Sequence, residues 1–185
     1  KDVPLLIDAE ESWMQSAADK LIEDLMETYN KDKAIVFNTL QMYRHDRLDY
    51  LKKLHVKAQE KDFYIGLKVV RGAYMEKERE RAEEKGYPSP ICKDKEATDI
   101  NYDKAIEYMM EHSKMALFAG THNEKSSYLL MELAKKYKIE NNSMITQRSN
   151  QFQQMVNLIQ YQCLFVPSQF FFLFIRGFTA LFING

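Results

Sequence analysis

Asp8, Gln41, Lys68 and the pair Thr121 and His122 are polar residues that end or interrupt apolar runs, and their types could do chemistry. A carboxylate at Asp8 can pair with an amine substrate or a neighbouring cation, or it can cap the helix that follows. Gln41 both donates and accepts, which suits the carbonyl and ring nitrogens of a cofactor; a turn or capping role is the plain alternative. Lys68 lies between Leu67 and Val69 inside an apolar run. A cation there could stabilise negative charge developing on a reduced ring, or it could snorkel to solvent or pair with Asp8. Arg71 adds a second cation, and Gly72 and Ala73 are small enough for bare backbone to approach a flat ligand. Tyr74 offers an aromatic wall, or packs on its own helix. The turn Thr121-His122-Asn123 suits a phosphate or ribose contact, with an ordinary loop as the alternative. Asp8, Glu10, His122 and Glu124 make a weak metal set, because no His-x-His pair accompanies them and His45, His55 and His112 all fall in helical segments.

The elements that must position these residues follow a β/α rhythm. Val3 to Ile7 reads as a strand, and Trp13 to Tyr29 carries Ala17, Leu21, Leu25 and Met26 at helical spacing. Ala34 to Leu40 is a second strand, followed by Leu48, Leu51, Leu54 and Ala58 on one face of a charged helix. Phe63 to Val70 is the third strand, and Glu76 to Lys85 a charged helix closed by Gly86 before Tyr87-Pro88-Ser89-Pro90. Thr98 or Asp99 is expected to cap the next helix, Met115 to Ala119 to form the fourth strand, and Ser127 to Tyr137 the helix that follows it. Alternation of this kind implies parallel strands, in the α/β class. About four β/α units amount to half of an eight-fold barrel, which typically needs about 250 residues.

Composition sets wider bounds. The 185 residues are 45% hydrophobic and 29% charged, as in globular proteins with a proper core. A net charge of −1 gives no reason to expect nucleic acid as a partner. Cys92 and Cys163 form no metal spacing and suit a reducing compartment. The first residues read as a strand and not a signal peptide, so the sequence is expected to start inside a fold.

Beyond residue 140 the pattern changes. Gln-rich sequence gives way to Leu164-Phe165-Val166 and to the run Phe170 to Ile175, with no strand, turn and amphipathic-helix order. A transmembrane helix over about Leu164 to Ile183 is the weaker reading, since Pro167, Ser168, Gln169 and Arg176 interrupt it. Residues 141–185 are therefore expected to form a divergent tail outside the fold, such as the product of a truncated or misread coding region, and residues 1–140 a partial (β/α)8 TIM-type barrel.

Five motifs, in order and spacing, carry a specific likeness: Ile-Asp-Ala-Glu at 7–10, Asn-Thr-Leu-Gln-Met-Tyr at 38–43, Lys-Val-Val-Arg-Gly-Ala-Tyr at 68–74, Gly-Tyr-Pro at 86–88 and Thr-His-Asn-Glu at 121–124. Over about residues 3–139 the sequence resembles proline dehydrogenase, the flavin-dependent β/α-barrel family. The resemblance implies oxidation of L-proline to 1-pyrroline-5-carboxylate, hydride passing to N5 of FAD and electrons passing to a membrane quinone. It also implies peripheral association with a membrane, at the cytoplasmic face of a bacterial inner membrane or, less favoured, the mitochondrial matrix side.

By the same resemblance Asp8 is the active-site carboxylate, and Lys68 takes the place of a basic residue beside the flavin ring. Ala9, Gln41 and the turn Arg71-Gly72-Ala73 hold the flavin, Thr121 and His122 its nucleotide portion, and Tyr74 lines the proline pocket. Two departures stand out. Family members carry an upstream lysine near the substrate and a pair of adjacent arginines that grip the proline carboxylate, whereas the tail here offers only the isolated Arg148 and Arg176. The chain is thus expected to be inactive alone; the rival expectation is a non-catalytic interaction or membrane-associating fragment.

Overall fold

The computed structural model describes residues 4–9, 11–137, 170–175 and 178–183. Strands β1 (Leu5–Ala9), β2 (Val36–Gln41), β3 (Ile65–Val70) and β4 (Met115–Ala119) alternate with α1 (Ser12–Tyr29), α2 (Arg47–Lys61), a helix pair α3 (Met75–Lys85) and α4 (Lys95–Glu111), and finally α5 (Glu124–Lys136). The four strands pair in parallel, each beside its predecessor in sequence. An order without reversal is the winding of a barrel arc, whereas a doubly wound sheet turns back on itself.

Alternation along each strand sorts its side chains. Ile7, Val36, Leu40, Ile65, Leu67, Val69 and Met115 face the helices and join one core with Ile22 and Met26 of α1, Leu51 and Leu54 of α2, Ile106 and Met109 of α4 and Leu130 of α5. Each such aliphatic side chain removed from water stabilises the fold by about 1.5–3 kcal/mol. The opposite face holds a small second cluster of Leu6 and Phe37, with Ala116 and Phe118 against it. Gly66 belongs to this face: a Cβ there would stand 2.5 Å from the Val36 carbonyl oxygen and 2.9 Å from the Phe37 ring, so the floor closes only around a residue without a side chain.

Several boundaries differ from the sequence reading. Strand β1 begins at Leu5 and continues through Asp8 and Ala9, and β3 starts at Ile65 because Phe63 packs into the helix-side core instead. Helix α4 starts a turn earlier than expected. Its cap is Asp94, whose extended backbone lets the side chain accept from the Ala97 amide at 2.7 Å, leaving Thr98 and Asp99 inside the helix. Asn123 caps α5 in the same way, through the Ser126 amide at 3.3 Å. The expected stop of α3 at Gly86 is found, with Gly86 left-handed at φ 69° and the Tyr87 amide bonded to the Ala82 carbonyl.

The tail contributes two antiparallel strands, β5 (Phe170–Ile175) and β6 (Phe178–Ile183), and β6 pairs antiparallel with β1. These segments therefore join the sheet. An uninterrupted apolar run has no period from which a strand can be told apart from a helix. The transmembrane-helix alternative over Leu164 to Ile183 is replaced by these strands where the residues are described, and no helix among the described residues is long and apolar enough to cross a membrane.

Candidate active site

The inner-face residues nearest the strand carboxyl ends form a continuous polar row. Thr39 and Lys68 are register partners on β2 and β3, and Asp8 of β1 lies on the other side of Thr39. Lys68 Nζ donates to Asp8 Oδ2 at 2.8 Å, and the Thr39 hydroxyl donates to Asp8 Oδ1. Both carboxylate oxygens are thus engaged. Gln41, two residues beyond Thr39 on the same face, donates through Nε2 to the Ala9 carbonyl at 2.5 Å and ties the ends of β1 and β2 together.

Beyond β3 the chain turns sharply. Met42 and Tyr43 amides bond to the Val70 and Arg71 carbonyls at 2.8 and 2.6 Å, so pairing with the β2 side continues past the strand. Gly72 then takes φ 121°, and a Cβ there would lie 2.5 Å from the Tyr43 ring. Only glycine satisfies both demands. Burial, followed by the charge of Glu78, pushes the Tyr43 phenol well above its usual range, so it stays neutral.

Helix α3 is fixed over the entry to α1 by a buried acid. Glu78 accepts from the Ser12 amide at 2.6 Å and the Ser12 hydroxyl at 2.5 Å, supplying the cap that Glu11 does not. Arg81 stacks on Trp13 at 3.9 Å, and Lys77 pairs with Glu11. Asp8 therefore does not cap α1; it faces Thr39 and Lys68.

The fourth strand end supplies the far wall. Gly120 continues the sheet through its amide to the Val69 carbonyl, and Thr121, His122 and Asn123 follow. Arg71 reaches across to this wall, with Nη1 donating to the Thr121 hydroxyl at 2.6 Å and Nε to Asp99 at 2.5 Å. Burial draws the Asp99 carboxyl upward, but hydrogen bonds from Lys95 and Arg71 outweigh it and hold the group below the usual carboxylate range.

These walls enclose a cleft of about 670 Å³. Asp8, Ala9, Gln41, Lys68, Arg71, Gly72, Ala73, Tyr74, Thr121 and His122, every site residue expected from sequence, line it together. Asn123, from the Thr121-His122-Asn123 turn singled out in the sequence, lines it too, and Thr39, Val70, Lys95 and Gly120 line it although they were not expected as site residues. Strand period would have found Thr39 and Val70, each two residues from an expected site residue on the same face. No sequence signal points to Lys95. Of the weak metal set, Glu10 lies outside the described residues; among the described residues no group of three or more His, Cys, Asp or Glu suited to a metal occurs.

The cleft has the size and character of a site for a cofactor-sized ligand. One end carries a paired carboxylate and ammonium, the middle a turn of small residues, and the other end hydroxyl, imidazole and amide groups. This fits a flat redox ring with a polar, anionic extension. Fold and cleft together define a β/α-barrel protein with a cleft at the carboxyl ends of its strands, the end at which this architecture places its active sites. The sequence model described as proline dehydrogenase matches residues 1–161, and the chain belongs to that family.

Relatives agree. "Proline dehydrogenase 1, mitochondrial" of Drosophila melanogaster is 36% identical over 134 residues, covering 66% of this chain and 20% of that protein. "Carbapenem antibiotics biosynthesis protein CarD" of Pectobacterium carotovorum is 38% identical over 132 residues, covering 70% of this chain and 34% of that one. The chain thus spans a fifth to a third of these relatives. Among solved structures, proline utilization A from Bdellovibrio bacteriovorus, inactivated by N-propargylglycine, superposes with a TM-score of 0.68 at 24% identity, covering 72% of this chain and 14% of that one. Proline utilization A from Corynebacterium freiburgense gives 0.67 at 22% identity, covering 81% and 17%. The structural likeness establishes the shared fold.

Proposed function

We propose that the cleft is the flavin-facing wall of an active site that oxidises L-proline to 1-pyrroline-5-carboxylate. The supporting observation is the convergence of Asp8, Lys68, Gln41, the Arg71-Gly72-Ala73 turn and Thr121 with His122 on one cavity. FAD, when bound, supplies the hydride acceptor. Lys68 places positive charge where a reduced ring would carry negative charge, and Asp8 holds that cation in place. Gln41, locked to the Ala9 carbonyl, fixes the edge of the ring site, while Gly72 and Ala73 let backbone approach its face. Tyr74 lines the substrate side, and Thr121 and His122 the nucleotide side.

The same reading makes a membrane quinone the final acceptor, with peripheral association at a bacterial inner membrane or on the mitochondrial matrix side. The matched relatives include a bacterial protein and others described as mitochondrial. It also makes this chain inactive alone, because its 185 residues contain no adjacent arginine pair to grip a proline carboxylate in bidentate fashion. The test is to express the full chain and titrate it with FAD. Saturable binding near one equivalent with no proline-dependent bleaching is the expected result. A folded protein that takes up no flavin overturns the reading and favours a non-catalytic interaction module.

A further inference from the structure

Arg71 is bound on several sides within the cleft. Its Nε donates to Asp99 at 2.5 Å, Nη1 to Thr121 Oγ1 at 2.6 Å and Nη2 to Ser126 Oγ at 2.9 Å, while its guanidinium lies 4.3 Å from the centre of the Tyr102 ring. These contacts reach from the end of β3 to α4, to the turn after β4 and to α5. The network continues outward. Ser126, 1% exposed, passes the interaction on by donating to Asp103 at 2.6 Å, and Asp99 also receives Lys95 at 2.8 Å. On the turn itself, Thr121 Oγ1 accepts from the Asn123 amide at 3.0 Å, and Asn123 in turn caps α5.

A guanidinium placed over an aromatic ring with all three nitrogens committed to protein acceptors has its direction fixed, and a lysine cannot reproduce that fork. We propose that the Arg71 side chain is a positioning residue: it sets the Thr121-His122 wall at the distance from the β3 turn that the nucleotide end of the ligand requires, and it does not hold the ligand by its own charge. The ligand part of this inference rests on the proposed flavin site; the positioning part stands on the contacts themselves.

The variants are Arg71→Gln, Arg71→Lys and Ser126→Ala in the full chain, titrated with FAD and with riboflavin, which lacks the nucleotide portion. Ser126 does not line the cleft and sits in a helix that tolerates alanine, so it reports positioning without touching ligand. All three variants are expected to bind FAD about tenfold more weakly while riboflavin affinity holds, the loss of one to two charge-assisted hydrogen bonds. Arg71→Lys binding FAD like the unmodified chain, with Ser126→Ala silent, would show a direct charge contact and overturn the proposal; equal losses of FAD and riboflavin would show general destabilisation and overturn it too.

A ligand-free measurement separates this from the function itself. Arg71→Gln is expected to speed amide exchange at Asn123 and Ser126 while β1 and β2 amides keep their rates. If the unmodified chain binds neither flavin, the proposed function fails and exchange alone decides: faster exchange confined to that turn sustains the positioning role, and unchanged exchange removes it.

Discussion

Lys68 and Asp8 form an ion pair over β2: Nζ lies 2.8 Å from Oδ2 although β1 and β3 are not neighbours in the sheet. Thr39 of the intervening strand completes the row through the other carboxylate oxygen. The two charged side chains, 22% and 25% exposed, both line the open cleft and keep contact with water, so the pair stabilises the fold by no more than about 1 kcal/mol. Lys68→Met is therefore expected to leave the urea midpoint nearly unchanged while weakening FAD about tenfold or more, with Lys68→Arg retaining binding. Denaturation and flavin titration on the same preparations check both halves.

Gly72 and Gly86 share a positive φ but differ in surroundings. Gly72→Ala must place a methyl against the Tyr43 ring at φ 121°, whereas Gly86→Ala at φ 69° meets open space. The expected cost is about 1–2 kcal/mol at Gly86. At Gly72 it exceeds about 3 kcal/mol, because overpacking adds to the backbone strain. Comparison of the two unfolding curves tests the difference.

A buried charge pair sits behind the site. Asp19, 6% exposed, accepts from Arg47 at 2.8 and 3.0 Å and also from Gln15 and Asn38, both at 2.8 Å. Asp19→Ala leaves Arg47 uncompensated between α1 and α2 and is expected to cost about 3–5 kcal/mol, measured by urea unfolding.

His55 makes stability depend on pH. Burial, and then the neighbouring His112, lower its pKa from the ordinary 6.5, while its Nδ1 bonds the Tyr108 hydroxyl at 2.8 Å. The unfolded chain binds a proton at 6.5 that the folded chain refuses, so this contribution is intact above 6.5 and is lost as pH falls toward the folded value. His55→Gln is expected to flatten that part of a plot of unfolding free energy against pH.

The sequence by itself determined the β/α rhythm, the polar residues at strand ends and the stop of α3 at Gly86, because periods of 2 and 3.6 and a left-handed glycine are local properties. It placed nine residues that share one cleft, since side chains at the carboxyl ends of neighbouring parallel strands must meet, and the likeness to proline dehydrogenase added Ala9. Only the tertiary structure decided that Asp99 serves Arg71 and not its own helix terminus, that Glu78 caps Ser12 from 66 residues away, and that Thr39 bridges to Asp8. Those pairings depend on which elements topology brings side by side, and an aspartate or threonine offers the same donors and acceptors to a local cap as to a distant partner.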